Sequence, residues 1–228
     1  MYQPSHFAQK DIRLLQAHIL QYPFGTLATA LDGVPQMNHL PFYYDLASNC
    51  LQAHIPKVNP LFAQVQQWLQ RSSTPTEVSA ELPVLVAFQG PDAYITPSWY
   101  PSKKEHGKVV PTWNYTVVHV TGRLRITQDS AWLTEHLTQL TNQQEPRRNS
   151  NWEMSDAPAE YTEGMMRVLC GLEIAVDHIV GKYKVSQNRQ PQDQQGVLEH
   201  LQESEHWHDR QLANLTIIAN RKSDEPTA

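Results

Sequence analysis

Four short stretches of this 228-residue chain carry side chains suited to chemistry. Asn38-His39-Leu40-Pro41 sets an amide beside an imidazole on the return arm of a hairpin. His54-Ile55-Pro56-Lys57-Val58-Asn59-Pro60 brings an imidazole, an amine and an amide to the point where a strand runs into a helix. A helix start offers unpaired N–H groups and partial positive charge, so with Lys57 beside it this turn is a place to hold a phosphate. An ordinary capped helix with a surface lysine would read the same way. Trp113-Asn114-Tyr115, with Tyr94 and Trp99-Tyr100 upstream, puts rings next to Pro, Ser, Thr and Asn. Such rings wall a pocket for something flat, or they seal a barrel end or a subunit interface. Tyr183-Lys184-Val185-Ser186-Gln187-Asn188-Arg189 packs an aromatic, two cations, a hydroxyl and two amides into one donor-rich segment, which also reads as a polar loop.

Other chemistries find no support. The chain has no GxSxG, GxGxxG or GxxxxGK[ST] string, and no carboxylate pair stands among the aromatics. His206 and His208 are two apart, so on a helix they face different ways and make a poor chelating pair. Cys50 and Cys170 are far apart and fit no metal spacing. We expect no catalytic side chain and no metal site; if the protein is an enzyme, a cofactor should carry the hard chemistry.

The bulk properties narrow the partners. A net charge of −5 argues against tight sequence-independent binding to DNA, which is driven by clustered Lys and Arg. The basic residues gather in two spots, Lys103, Lys104 and Lys108, and then Lys182, Lys184 and Arg189. The first reads as a solvated loop; small spots on an acidic body suit a small anion better than a duplex. No apolar run is long enough to span a bilayer, and the N-terminus lacks a secretory pattern. With two unpaired cysteines, the expectation is a reduced cytoplasmic protein with no membrane association.

These groups need a scaffold. A helix is expected after Asp11, a hairpin from Phe24–Ala30 and Gln36–Tyr44 around Asp32-Gly33, and a short strand over Leu51–His54. Asn59-Pro60 should start a helix. Arg71–Glu81 reads as a polar loop, and Val84–Phe88 and Tyr94–Thr96 as two strands. Pro97–Val110 reads as a long loop, Thr116–Ile126 as an alternating strand, and the stretches after Asp129 and from Ala159 as helices. Leu172–Val176 is the last strand; beyond Gln192 the pattern is helical but thin in apolar residues, as for an appendage or a partner-facing segment. Short antiparallel strands with inserted helices make a small closed or split barrel of α+β type.

FQGPDAYITPSWY, VPTWNY and YKVSQNR, in this order and spacing, resemble the PaiB proteins. MYQPSHF, FGTLAT and NHLPF match the same pattern, and the resemblance runs from Met1 to about Leu201. PaiB proteins are FMN-binding split-barrel proteins, labelled negative transcriptional regulators of sporulation and protease synthesis. The resemblance implies an α+β, antiparallel, Greek-key split β-barrel with peripheral helices, spanning residues 1–190, and a helical C-terminal extension over 191–228. It implies a homodimer with FMN at the interface, in a flavin-dependent redox or flavin-sensing regulatory role with an unknown small-molecule redox partner. It assigns Asn38, His39, Leu40 and Pro41 to the ring edge and ribityl chain, and Ala53, His54, Lys57 and Asn59 to the phosphate. Trp113, Asn114 and Tyr115 would come from the central strand, and Lys184, Gln187, Asn188 and Arg189 from the late segment. The strong basic phosphate grip of pyridoxamine phosphate oxidase is diluted here, with Asn38 and neutral neighbours at its strand positions. A transcriptional regulator acting without flavin chemistry, and a haem-binding split barrel using His200, His206 or His208, are the alternatives; direct DNA binding is not expected.

Overall fold

The computed structural model of the protein describes residues 1–31, 33–72 and 81–221. Among these residues eight strands and seven α-helices follow one another along the chain. The order is β1 (Ala8–Gln9), α1 (Ile12–Gln21), β2 (Phe24–Leu31), β3 (Val34–Pro41), β4 (Tyr43–Asp45), β5 (Cys50–Pro56) and α2 (Pro60–Ser72). There follow β6 (Leu82–Ile95), α3 (Ser102–His106), β7 (Thr112–Thr127), α4 (Ser130–Gln144), α5 (Ala159–Arg167), β8 (Leu169–Lys184), α6 (Pro191–Glu203) and α7 (Trp207–Arg221). The strands form one sheet in the order β3-β2-β6-β7-β8-β5-β4, with β1 paired to β8. The β2–β3, β2–β6, β4–β5, β5–β8 and β1–β8 pairs are antiparallel.

Local signals explain most boundaries. The Asn59 side chain accepts from the Leu61 amide at 3.0 Å and opens α2, and Asp129 caps α4 through the Trp132 amide at 2.9 Å. In the β2–β3 hairpin Leu31 pairs with Val34, and Gly33 turns the chain at φ 76°, a conformation that favours glycine. The polar loop expected over Arg71–Glu81 lies mostly outside the described residues.

Several strands differ from the sequence reading. The two strands expected at Val84–Phe88 and Tyr94–Thr96 are one, β6. Its buried set runs through Val84, Val86 and Phe88, then changes parity at Gly90-Pro91 to continue through Ala93 and Ile95. A proline in mid-strand with a parity change marks an irregularity that reads in sequence as a break. Gly90 is required there: a Cβ would lie 2.2 Å from Thr116 Oγ1 and 2.6 Å from His18 Cε1. The expected Leu172–Val176 strand extends to sixteen residues in β8, because Ala175–Val180 is exposed or half-exposed on both faces and shows no alternation. The return arm expected over Gln36–Tyr44 divides at Phe42, after which β4 pairs with β5 instead of β2.

The chain divides into two compact units. One comprises residues 1–18, 89–119 and 180 onward; the other comprises 19–88 and 120–179. In the first, Ala93, Ile95, Tyr100, Val185, Val197, Leu201, Leu212 and Ala213 form a buried cluster. The C-terminal helices α6 and α7, expected to be thin in apolar content, therefore supply half of that core. In the second, Leu27, Leu51, Ile55, Val86, Leu124 and Leu172 are fully buried, and Phe42 meets Phe88 edge-to-face at 5.5 Å. Burial pushes the unpaired Cys50 and Cys170 thiols up to about 12 and about 11, so neither is a ready nucleophile. Among the described residues no helix is long and apolar enough to cross a membrane.

Candidate functional site

The first unit presents aromatic rings and cations together. On β7 burial alternates, so Asn114 and Thr116 point inward while Trp113 and Tyr115 lie on the other face. Trp113 is 54% exposed, and Tyr94 of β6, 50% exposed, meets it edge-to-face at 5.9 Å. Lys182 and Lys184 are two apart on β8. Lys184 donates to the Thr112 hydroxyl and to the Trp113 carbonyl, the latter at 2.7 Å. The Lys182 ammonium lies 5.2 Å from the Tyr115 ring centroid and 5.7 Å from that of Tyr2. The Arg189 guanidinium sits 4.8 Å over Tyr100. Among the described residues none of these three cations forms an ion pair with a carboxylate. Partial burial first, and then Lys182 and Arg189, hold the Lys184 ammonium below the usual lysine range. Three positive charges are thus gathered with no ion-paired carboxylate among the described residues.

The turn that carries them is built from within. Ser186 takes φ 69°, uncommon for a residue with a side chain. Its hydroxyl accepts from Asn114 Nδ2 at 2.8 Å, and Asn114 is wholly buried. Gln187 folds back, accepting the Val185 amide at 2.8 Å and donating to the Tyr183 carbonyl. Asn114 and Gln187 therefore shape the turn, while Asn188 is exposed and Lys184 and Arg189 are half-buried. Asn114 Oδ1 and Thr116 Oγ1 are buried with no hydrogen-bond partner among the described residues.

The other candidates lie in the second unit. Asn59 Nδ2 donates to Asn38 Oδ1 at 2.9 Å, tying the α2 cap to β3, and His39 Nδ1 lies 3.0 Å from the Thr26 hydroxyl. Leu40 and Pro41 are half-exposed on β3, and Ala53 is wholly buried. Lys57 is engaged at α5: its amide donates to the Val168 carbonyl and its ammonium to the Arg167 carbonyl, each at 2.8 Å. It also lines a cleft of about 560 Å³ with Ser130, Thr134, Glu163 and Arg167. His54 Nδ1 lies 3.0 Å from His136 Nε2, and Trp132 stacks on the His136 ring with centroids 5.1 Å apart. Burial lowers the His54 pKa; burial and then His54 push His136 down to about 3. Sequence reading named His54 but missed His136, whose only signal is its i+4 spacing from Trp132 on α4. The tail histidines are also engaged: His200 stacks on Trp99 and bonds the Gly196 carbonyl, and His208 faces Asp92 at 3.6 Å.

Comparison with known proteins shows the family and the fold. Residues 1–178 match the family model described as "Putative FMN-binding domain". The Bacillus subtilis protease synthase and sporulation protein PAI 2, which is PaiB, is 31% identical over 217 residues, covering 94% of this chain and 96% of that protein. The chain belongs to the PaiB family. An uncharacterized protein of Emericella nidulans is 34% identical over 225 residues, covering 87% of this chain and 89% of its own length. Solved structures similar to this PaiB-family chain include a conserved hypothetical protein from Mycobacterium tuberculosis, with TM-score 0.55 and 11% identity over 83% of this chain and 94% of that one. Another is the FAD and heme binding protein from Mycobacterium smegmatis, with TM-score 0.54 and 15% identity over 78% and 73%. At these identities the likeness is one of fold: an α+β antiparallel split barrel with peripheral helices. The family match stops at residue 178, just before the Lys182–Arg189 cations.

Proposed function

We propose that this protein binds FMN as a homodimer, with the flavin held at the subunit interface, and that it serves a flavin-dependent redox or flavin-sensing regulatory role. The observation that carries this reading is the group Lys182, Lys184 and Arg189, three cations with no ion-paired carboxylate among the described residues, beside the outward rings of Tyr94, Trp113 and Tyr115. FMN pairs a flat, polarisable ring with a phosphate near two negative charges, and this donor set suits both parts. When bound, FMN would supply electron or hydride transfer; the protein would supply position and charge.

In this reading Trp113 and Tyr115 flank the ring, Lys184 and Asn188 donate to it or to the ribityl chain, and Arg189 faces the phosphate. Asn114 and Gln187 hold the turn. From the other subunit, Asn38, His39, Leu40 and Pro41 would line the ring edge, with Ala53, His54, Lys57 and Asn59 around the phosphate. A Lys57 that serves the phosphate must share its ammonium with the Arg167 carbonyl. The dimer is supported by apolar side chains left uncovered: Tyr94, Val110 and Trp113 in the first unit, and Phe24, Val34 and Met37 on the β2–β3 hairpin. Regulation would proceed by metabolite or protein partner, since Glu199, Glu203 and Glu205 around the C-terminal helices would repel a duplex.

The test is the absorption spectrum of freshly purified protein, followed by heat release and chromatography of any chromophore. Flavin bands and released FMN are expected. A haem spectrum, or an empty protein that takes up no added FMN, would overturn the reading.

A further inference from the structure

Lys182 stands apart from the other two cations. Lys184 has two oxygen acceptors, and Arg189 lies at a half-buried turn. Lys182 is only 9% exposed, yet among the described residues its ammonium has neither a hydrogen-bond acceptor nor a carboxylate. It is held between the rings of Tyr115 and Tyr2. Its stem is buried while the ammonium itself keeps contact with water, and there the ring faces attract the cation. A cation set over two ring faces with no oxygen acceptor is open to a ligand. Tyr2 is 84% exposed, and Gln3 anchors its segment by donating to the Gly181 carbonyl.

We propose that Lys182 is a ligand-contacting residue of the flavin site, and that its ammonium meets the electron-rich edge of the bound ring and not the phosphate. This rests on the flavin-binding reading above and adds a residue and a role to it. The surroundings decide between ring and phosphate. A phosphate is gripped by several donors converging on its oxygens. Around Lys182 the neighbours are aromatic faces, which suit a flat heterocycle whose carbonyl edge accepts a charge-assisted bond. Tyr115 forms the fixed side of this slot, and Tyr2 is the side that a ring would displace or stack upon.

The experiment compares FMN with riboflavin, which lacks the phosphate, on the unmodified chain and on Lys182→Met. The expected result is that Lys182→Met weakens both flavins by the same factor, about tenfold or more. The midpoint potential of the bound flavin should also fall, because the reduced ring carries more negative charge. Lys182→Arg should restore most of both effects. Should Lys182→Met fail to fold, the lysine Nζ resonance of the unmodified chain should shift on adding riboflavin. Loss confined to FMN would place Lys182 at the phosphate and overturn the proposal. Unchanged binding of both flavins, or an unmoved Nζ resonance, would overturn it as well while leaving the flavin reading standing. Failure of the unmodified chain to bind either flavin would overturn both.

Discussion

The His54–His136 pair makes acid stability a sharp test of the second unit. Both imidazoles are depressed, His54 by burial and His136 to about 3 by burial and then by His54. A group whose folded pKa is lowered contributes its full stability above the unfolded value of 6.5 and loses it as pH falls toward the folded value. The unfolded chain takes up a proton that the folded chain refuses, at about 1.4 kcal/mol per pH unit. Between pH 7.5 and pH 4.5 His136 alone should therefore remove about 3 kcal/mol. His136→Gln keeps a hydrogen-bonding side chain but cannot titrate. It should be less stable than the unmodified chain at pH 7.5, through loss of the Trp132 stack, and the gap should shrink by about 3 kcal/mol by pH 4.5. Urea unfolding of both chains at one-unit pH intervals reads this directly. Parallel stability curves would refute the argument, as would an imidazole resonance of His136 titrating near the ordinary value.

Three further outcomes are expected. Light scattering at micromolar concentration should give twice the chain mass, and a clean monomer would remove the proposed interface site. Arg189→Ala should weaken FMN by about tenfold or more and leave riboflavin nearly unchanged. Lys57→Ala should do the same if its ammonium leaves the Arg167 carbonyl for the phosphate, and equal losses for both flavins would reassign either residue to pocket shape. At physiological salt no specific duplex binding tighter than about 10⁻⁴ to 10⁻⁶ M is expected, and a nanomolar sequence-selective shift on a promoter fragment would contradict this.

What the sequence made legible follows from where its signals are local. Asn59-Pro60 and Asp129 announce helix starts because a cap acts within three residues. Gly33 announces its turn in the same way. The long strands were not legible at their full length. β6 carries Gly90-Pro91, and the middle of β8 is exposed on both faces, so neither keeps the period-two pattern from end to end. The apolar content of α6 and α7 is low, yet Val197, Leu201, Leu212 and Ala213 suffice to build a core, since burial depends on position more than on count. At the candidate site, spacing identified Lys184, Gln187 and Arg189 as a donor-rich group. It did not reveal that Asn114 points inward to Ser186, nor that His54 is joined to His136, eighty-two positions away. Lys182 was visible only as one of several basic residues. Its lack of an oxygen partner is a property of the folded surroundings.

Titration of the purified, flavin-free protein with FMN by calorimetry, with flavin fluorescence followed in parallel, tests the central claim most directly. The account predicts saturable binding at micromolar affinity or tighter, about −8 kcal/mol or more, with fluorescence quenched as the ring settles beside Trp113. No heat and no fluorescence change up to about millimolar FMN would contradict it.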